Sequence, residues 1–242
     1  MDPFSTSIFI YALNTPCLRR NLPYSEGMIQ DFYILSSARK APKYLVIILH
    51  GYGANGKNLI SMAQHWKNSI KDALFIVPDA PLPLPHATDG YQWFEIGDLS
   101  PKYLEKGTRE AAPIVSAFVK NIQKAYKISW DKTILSGFSQ GGMMALTTGL
   151  LQDQLCKGII SYSGGLFLSP DTTFSSTPSS PDVCLIHGTH DSVVPYESSK
   201  KTQFYLQEKK IKVAFHSLLN VDHQINEVGL KKGAEFIKSV VL

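Results

Sequence analysis

From residue 44 to near the C-terminal end, the chain alternates short apolar runs with longer segments of helical period, separated by Gly, Pro, Asn and Asp. The apolar runs, at 44–49, 73–77, 132–136, 157–161, 182–187 and 212–218, are mostly near-continuous in Val, Ile, Leu or Phe. Runs without polar alternation suit strands covered on both faces. Between them lie helical patterns at 58–70, 108–125, 141–150 and 197–209, with a last one at 226–239. Strand, helix, strand in repeated order calls for right-handed crossovers, so the predicted fold class is α/β with a mostly parallel central sheet and helices on both faces. Within residues 1–43, the segments 7–12 and 31–35 predict extra strands, placed as an antiparallel edge. The Ser-, Thr- and Pro-rich stretch 169–181 falls between two core strands, so it reads as a surface loop. No repeat is found, and residues 1–242 are expected to form one domain.

Composition narrows the class. With 44% hydrophobic and 18% charged residues the chain is balanced as a soluble globular protein, unlike a disordered one. The net charge of +4 arises from scattered pairs, Lys200 with Lys201, Lys209 with Lys210, and Lys231 with Lys232, which read as solvated helix faces. No nucleic-acid partner is expected. The three cysteines, Cys17, Cys156 and Cys184, have no C-x-x-C spacing and no histidine placed to complete a zinc set, so they read as reduced thiols. No window approaches the ~20 apolar residues of a membrane span. The short apolar stretch at residues 8–13 lacks the basic lead of a signal peptide. The expected location is the cytoplasm, without stable membrane insertion.

The sharpest local pattern is Gly137-Phe138-Ser139-Gln140-Gly141, which lies between a predicted strand and an apolar helix start, Met143 to Leu146. A serine on such a turn is held in a strained conformation that lifts its hydroxyl above the sheet, and glycines two residues on either side admit the close approach. The N–H of Gln140 then faces the place where an oxyanion would form. A second serine cluster at Ser161 and Ser163 is followed by no helix start and reads as a tight turn.

A serine hydroxyl needs a base to take its proton, and in this strand–turn–helix arrangement the acid and the base follow the serine in that order. Of seven histidines only His187, His190, His216 and His223 come after Ser139. Asp191 closes a loop at the end of the 182–187 strand and is the preferred acid; Asp171 and Asp182 have no such placement. His187 and His190 then precede it, leaving His216 within a strand and His223 in the loop beyond. The loop position favours His223.

A competing pattern lies earlier. Gly51, Gly53 and Gly56 satisfy G-x-G-x-x-G after a strand and before a helix, with Asp79 at the end of the next strand, as in a dinucleotide-binding oxidoreductase. Against this stand His50 before the first glycine and the ordered series Ser139, Asp191, His223. In a hydrolase the same loop supplies a second oxyanion donor, the N–H of Tyr52.

Taken together, Leu49 to Gly53, Pro78 to Pro81, Trp93-Phe94 with Leu99 to Pro101, Gly137 to Gly142, and His187 to Asp191 continuing to Tyr196 resemble the phospholipase/carboxylesterase family, which includes bacterial carboxylesterases and acyl-protein thioesterases. The resemblance implies an α/β-hydrolase fold, Ser139, Asp191 and His223 as triad, and Tyr52 and Gln140 as oxyanion donors. It also implies a cap-like loop, residues 82–101, over the active site. There Leu82, Leu84, Tyr91, Trp93 and Phe94 would wall an acyl chain or merely pack the loop, and Val193 is a further candidate wall. That family usually has glycine before its catalytic histidine, where this chain has Asp222.

The expected chemistry is acyl transfer through an acyl-enzyme on Ser139, which requires no metal and no organic cofactor. Expected substrates are small-molecule esters or thioesters, lysophospholipids or acylated proteins, and monomer and homodimer are both open. A non-catalytic binding protein on the same fold is the remaining alternative.

Overall fold

The computed structural model describes residues 28–152, 154–169, 172 and 180–241, together with the backbone of 18–21. Its strands are β1 (Leu18–Asn21), β2 (Asp31–Ser36), β3 (Tyr44–Leu49), β4 (Ala73–Pro78), β5 (Leu82–Pro83), β6 (Tyr91–Gln92), β7 (Thr133–Phe138), β8 (Gly158–Tyr162), β9 (Asp182–Gly188) and β10 (Val213–Leu218). Its helices are α1 (Ile60–Ser69), α2 (Pro101–Tyr126), α3 (Gln140–Leu151), α4 (Tyr196–Glu208) and α5 (Glu227–Val241). Among the described residues one sheet has the order β1-β2-β4-β3-β7-β8-β9-β10. From β4 to β10 its pairings are parallel, while β2 runs antiparallel to both β1 and β4.

Period-two alternation divides the core between the two faces. Leu45, Ile47 and Leu49 join the cluster under α2, α3 and α4, while Val46 and Ile48 join the one under α1 and α5. Trp66 of α1 fastens the second layer, its indole N–H donating to the carbonyl of Leu230 at 2.9 Å.

The predicted strands and helices appear in the predicted order, and 31–35 does lie antiparallel on the sheet, against β4. The strand expected at 7–12 and most of the loop at 169–181 lie outside the described residues. The outermost strand β1, Leu-Arg-Arg-Asn, was not expected, because it has no apolar alternation to reveal it.

Helix α2 begins at Pro101, seven residues before the expected start at 108. Ser100 caps it, accepting the Tyr103 N–H at 3.3 Å, and Pro101 takes the first helical position, where a missing N–H is harmless. Gly107 looks like a break but is a packing contact: a Cβ there would lie 2.3 Å from the ring of Phe94. The segment expected as a cap therefore ends at Ser100 and contains a short antiparallel ladder, β5 with β6.

Chain order places the functional ends. After β3 the chain goes to β4 on one side, and later to β7 on the other, so the crevice at the carboxyl ends of β3 and β7 is a topological switch point. Leu49 pairs with Gly137, bringing the loop after β3 against the turn after β7. Leu218 pairs with Gly188, doing the same for the loops after β9 and β10. Among the described residues no helix is long and apolar enough to cross a membrane.

Candidate active site

Ser139 sits between β7 and α3 with φ 54° and ψ −120°. A non-glycine residue held there stores on the order of 1–3 kcal/mol of strain, retained only when its surroundings fix it. Here its N–H donates to the Tyr162 carbonyl at 2.8 Å and its carbonyl accepts from Met143 at 3.0 Å. The flanking glycines allow the crossing. A Cβ on Gly137 would lie 2.1 Å from the Gly141 carbonyl oxygen, and one on Gly141 the same distance from that of Leu49.

Gln140 opens α3, so its N–H belongs to the first turn, where donors have no partner within the helix. Its buried side chain is engaged elsewhere: Oε1 accepts the Trp93 N–H at 3.0 Å and Nε2 donates to the Phe94 carbonyl at 2.8 Å. It thereby clamps the loop 82–100 to the nucleophile turn. Trp93, expected as a substrate wall, is buried and points its indole N–H at the His50 carbonyl, 2.8 Å away. It belongs to the packing that supports the site.

His50 has a definite tautomer. Nε2 accepts the Ala80 N–H at 2.9 Å, so the proton lies on Nδ1 and is donated to the Gly51 carbonyl at 2.7 Å. A planar trans peptide directs its N–H opposite to its carbonyl, so this bond also aims the N–H of Tyr52. Gly51 itself is close to the nucleophile, since a Cβ on it would lie 3.3 Å from Ser139 Cβ. Burial, opposed by the Gly51 carbonyl, pushes the imidazole down to about 4 from its usual 6.5. The unfolded chain therefore binds this proton near 6.5 and the folded chain only near 4, so stability present above pH 6.5 is lost as pH falls toward 4. Urea unfolding at pH 7 and pH 5 should show the wild type losing about 2 kcal/mol more than His50→Asn. Equal losses would contradict the tautomer and its burial.

Asp191 follows β9 and is surrounded by donors. Oδ1 accepts the N–H groups of Val193 at 3.0 Å and Val194 at 2.8 Å, and Oδ2 lies 2.8 Å from His223 Nδ1. On the buried side Oδ2 is also 3.1 Å from His187 Nε2, and the Ser163 side chain adds a further hydrogen bond. Burial alone would raise this carboxyl, but hydrogen bonds from His223, Val194 and Ser163 outweigh it and hold it below the ordinary range. The carboxylate is ionised at neutral pH.

His223 faces Asp191 through Nδ1, which leaves Nε2 available. Its ring lies on Phe138, the neighbour of Ser139, with centroids 4.7 Å apart. His216 is in β10, where burial lowers its pKa. His187, set aside as a base by chain order, belongs to the constellation in another capacity. Its Nε2 faces Asp191 and the Val194 carbonyl, the latter at 2.9 Å, while Nδ1 is 2.7 Å from Ser199 Oγ. Burial pushes its pKa down against the pull of Val194 and Asp191, so it is a neutral N–H donor behind the acid. The serine turn at 161–163 likewise supports Asp191 through Ser163, although nothing in its spacing indicates this.

Beside these residues lies a groove of about 900 Å³. Met143, one turn beyond Ser139, lines it together with Leu104, Leu166, Phe167, Val193 and Tyr205. Val193, expected as a substrate wall, lines this groove: its side chain is exposed while its N–H donates to Asp191.

The glycine loop after β3 does not present a nucleotide site. Asp79, the acid a ribose would need, is buried and accepts the Gly56 N–H at 2.7 Å. A Cβ on Gly56 would lie 2.5 Å from the Val77 carbonyl, so that glycine serves packing on β4.

Known proteins are similar to this chain in sequence and in fold. A family model described as phospholipase/carboxylesterase matches residues 30–241. An acyl-protein thioesterase 1 homolog 2 of Dictyostelium discoideum is 32% identical over 209 residues, covering 80% of this chain and 90% of that protein. An acyl-protein thioesterase 1 of Debaryomyces hansenii is 28% identical over 221 residues, covering 86% and 95%. Among solved structures, esterase PE8 matches with a TM-score of 0.79 at 34% identity, covering 86% of this chain and 97% of that one. The Bacillus cereus carboxylesterase, at 16% identity and a TM-score of 0.74 over 88% and 95% of the two chains, shares the fold.

Proposed function

Because the chain belongs to the phospholipase/carboxylesterase family, we propose that it is a serine hydrolase that cleaves carboxylic esters or thioesters through an acyl-enzyme on Ser139. The observation that carries this reading is the strained serine brought to one sheet edge with a buried, ionised Asp191 bound to His223. His223, its Nδ1 proton held by Asp191, takes the Ser139 proton on Nε2 as the serine attacks the acyl carbon. The N–H groups of Tyr52 and Gln140 receive the oxyanion, each contributing about 3–4 kcal/mol in comparable sites. His223 returns the proton to the leaving group, and water then repeats the sequence on the acyl-enzyme.

Candidate substrates are small-molecule esters and thioesters, lysophospholipids and acylated proteins. The apolar groove beside Met143 and Val193 supports an acyl chain over a purely polar acid. The cytoplasm is the proposed location, supported by Cys156 and Cys184, which are free, buried and pushed up to about 12 by that burial.

The test is a series of nitrophenyl esters and matching thioesters of increasing acyl length. A buried methylene contributes roughly 0.8 kcal/mol, so kcat/KM should rise about two- to fourfold per added carbon while the chain fills the groove. Val193→Trp should remove that gain for long chains and spare short ones. Inactivity on every ester and thioester by the folded protein would overturn the proposal.

A further inference from the structure

We infer that Asp222 is a positioning residue that fastens the loop of the base to the loop of the acid; this rests on the proposed hydrolase reading. One carboxylate oxygen, Oδ1, accepts three hydrogen bonds: the His223 N–H at 2.7 Å, and the N–H and hydroxyl of Ser192, both at 2.9 Å. Ser192 directly follows Asp191, and Asp222 directly precedes His223. A single oxygen thus joins the neighbours of two residues that must meet.

The bond to His223 N–H alone would be a local turn. The bonds to Ser192 reach 30 positions along the chain and are of a different kind. They extend a series that begins where the parallel pairing of β9 and β10 stops. Thr189 N–H donates to the Leu218 carbonyl at 2.9 Å, His190 N–H to that of Val221 at 3.0 Å, and Asn220 N–H to Thr189 Oγ1 at 3.0 Å. Gly188 lets the strands run this close, since a Cβ there would lie 2.2 Å from the Val221 carbonyl. Asp222 is the last cross-link before the Asp191–His223 contact. Ser192 and His223 donors hold its carboxyl below the usual range, as a fully ionised acceptor requires.

The alternative is that Asp222 acts by charge on the His223 imidazolium. Asp222→Asn separates the two, since asparagine keeps an oxygen acceptor at the same position and loses the charge. Asp222→Gly and Asp222→Ala remove both. Misplacing a reacting group by about 1 Å can slow turnover by about a hundredfold. The glycine and alanine variants should therefore lose about tenfold or more in kcat with KM within twofold, and react more slowly with a fluorophosphonate probe. Asp222→Asn should keep kcat within about threefold and leave the pH–rate profile in place. Asp222 is exposed, so the urea midpoint should move little in any of them.

Wild-type kcat in Asp222→Ala would overturn the inference. So would an Asp222→Asn enzyme as impaired as Asp222→Ala with a displaced acid limb, which would assign the residue an electrostatic role. A folded wild type inert to every ester and to the probe would instead refute the hydrolase reading itself, so the two failures are distinct.

Discussion

Ser139→Ala is expected to lower kcat/KM on any ester or thioester substrate by about a million-fold, as loss of the nucleophile does in comparable triads. The substitution removes one oxygen and leaves the turn intact. The φ of 54° is imposed by Tyr162, Met143 and the crossing of Gly137 with Gly141, none of which touches the hydroxyl. Urea unfolding should therefore match the wild type within about 0.5 kcal/mol. Residual activity within a hundredfold of wild type would mean that another nucleophile carries the reaction.

Asp191→Asn is expected to slow the same reaction about ten-thousandfold. Each polar neighbour named around this carboxylate donates to it: Val193 and Val194 N–H on Oδ1, and His223 and His187 around Oδ2. An asparagine oxygen facing the two N–H groups turns its NH2 toward His223. Nδ1 must then become an acceptor, the proton moves to Nε2, and that nitrogen can no longer receive the serine proton. The same NH2 faces the N–H of His187, so the turn at 191–194 also loosens. The effect should appear in kcat with KM little changed, and a rate within tenfold of wild type would show that Asp191 does not set the tautomer of His223.

The parts of the site legible in the chain are those with local causes. Gly137 and Gly141 are spaced by the steric demand of the turn itself, so their pattern survives without knowledge of the rest of the molecule. Asp191 and His223 were readable because a parallel sheet delivers successive loops to one edge, in chain order. What could not be read depends on packing between distant segments. Trp93 belongs to an aromatic cluster suitable for a pocket, and only the distance to the His50 carbonyl reveals its inward direction. Chain order set His187 aside as the base, and its place behind Asp191 comes from the fold of 188–194 and the seat of Ser199 on α4. The early start of α2 was hidden because Gly107 signals a break unless the ring of Phe94 is known to fill its side. In the sequence Asp222 stands out only as a departure from glycine, and its bonds to Ser192 exist only once β9 and β10 are paired.

The proposed mechanism requires Ser139 to be an activated nucleophile. A fluorophosphonate probe followed by peptide mapping tests it most directly, because the reagent needs both the serine and its base. The expected result is a single adduct on Ser139, absent from Ser139→Ala and nearly absent from His223→Ala. A folded protein that takes up no probe, or takes it up at Ser161 or Ser163 instead, would contradict the account.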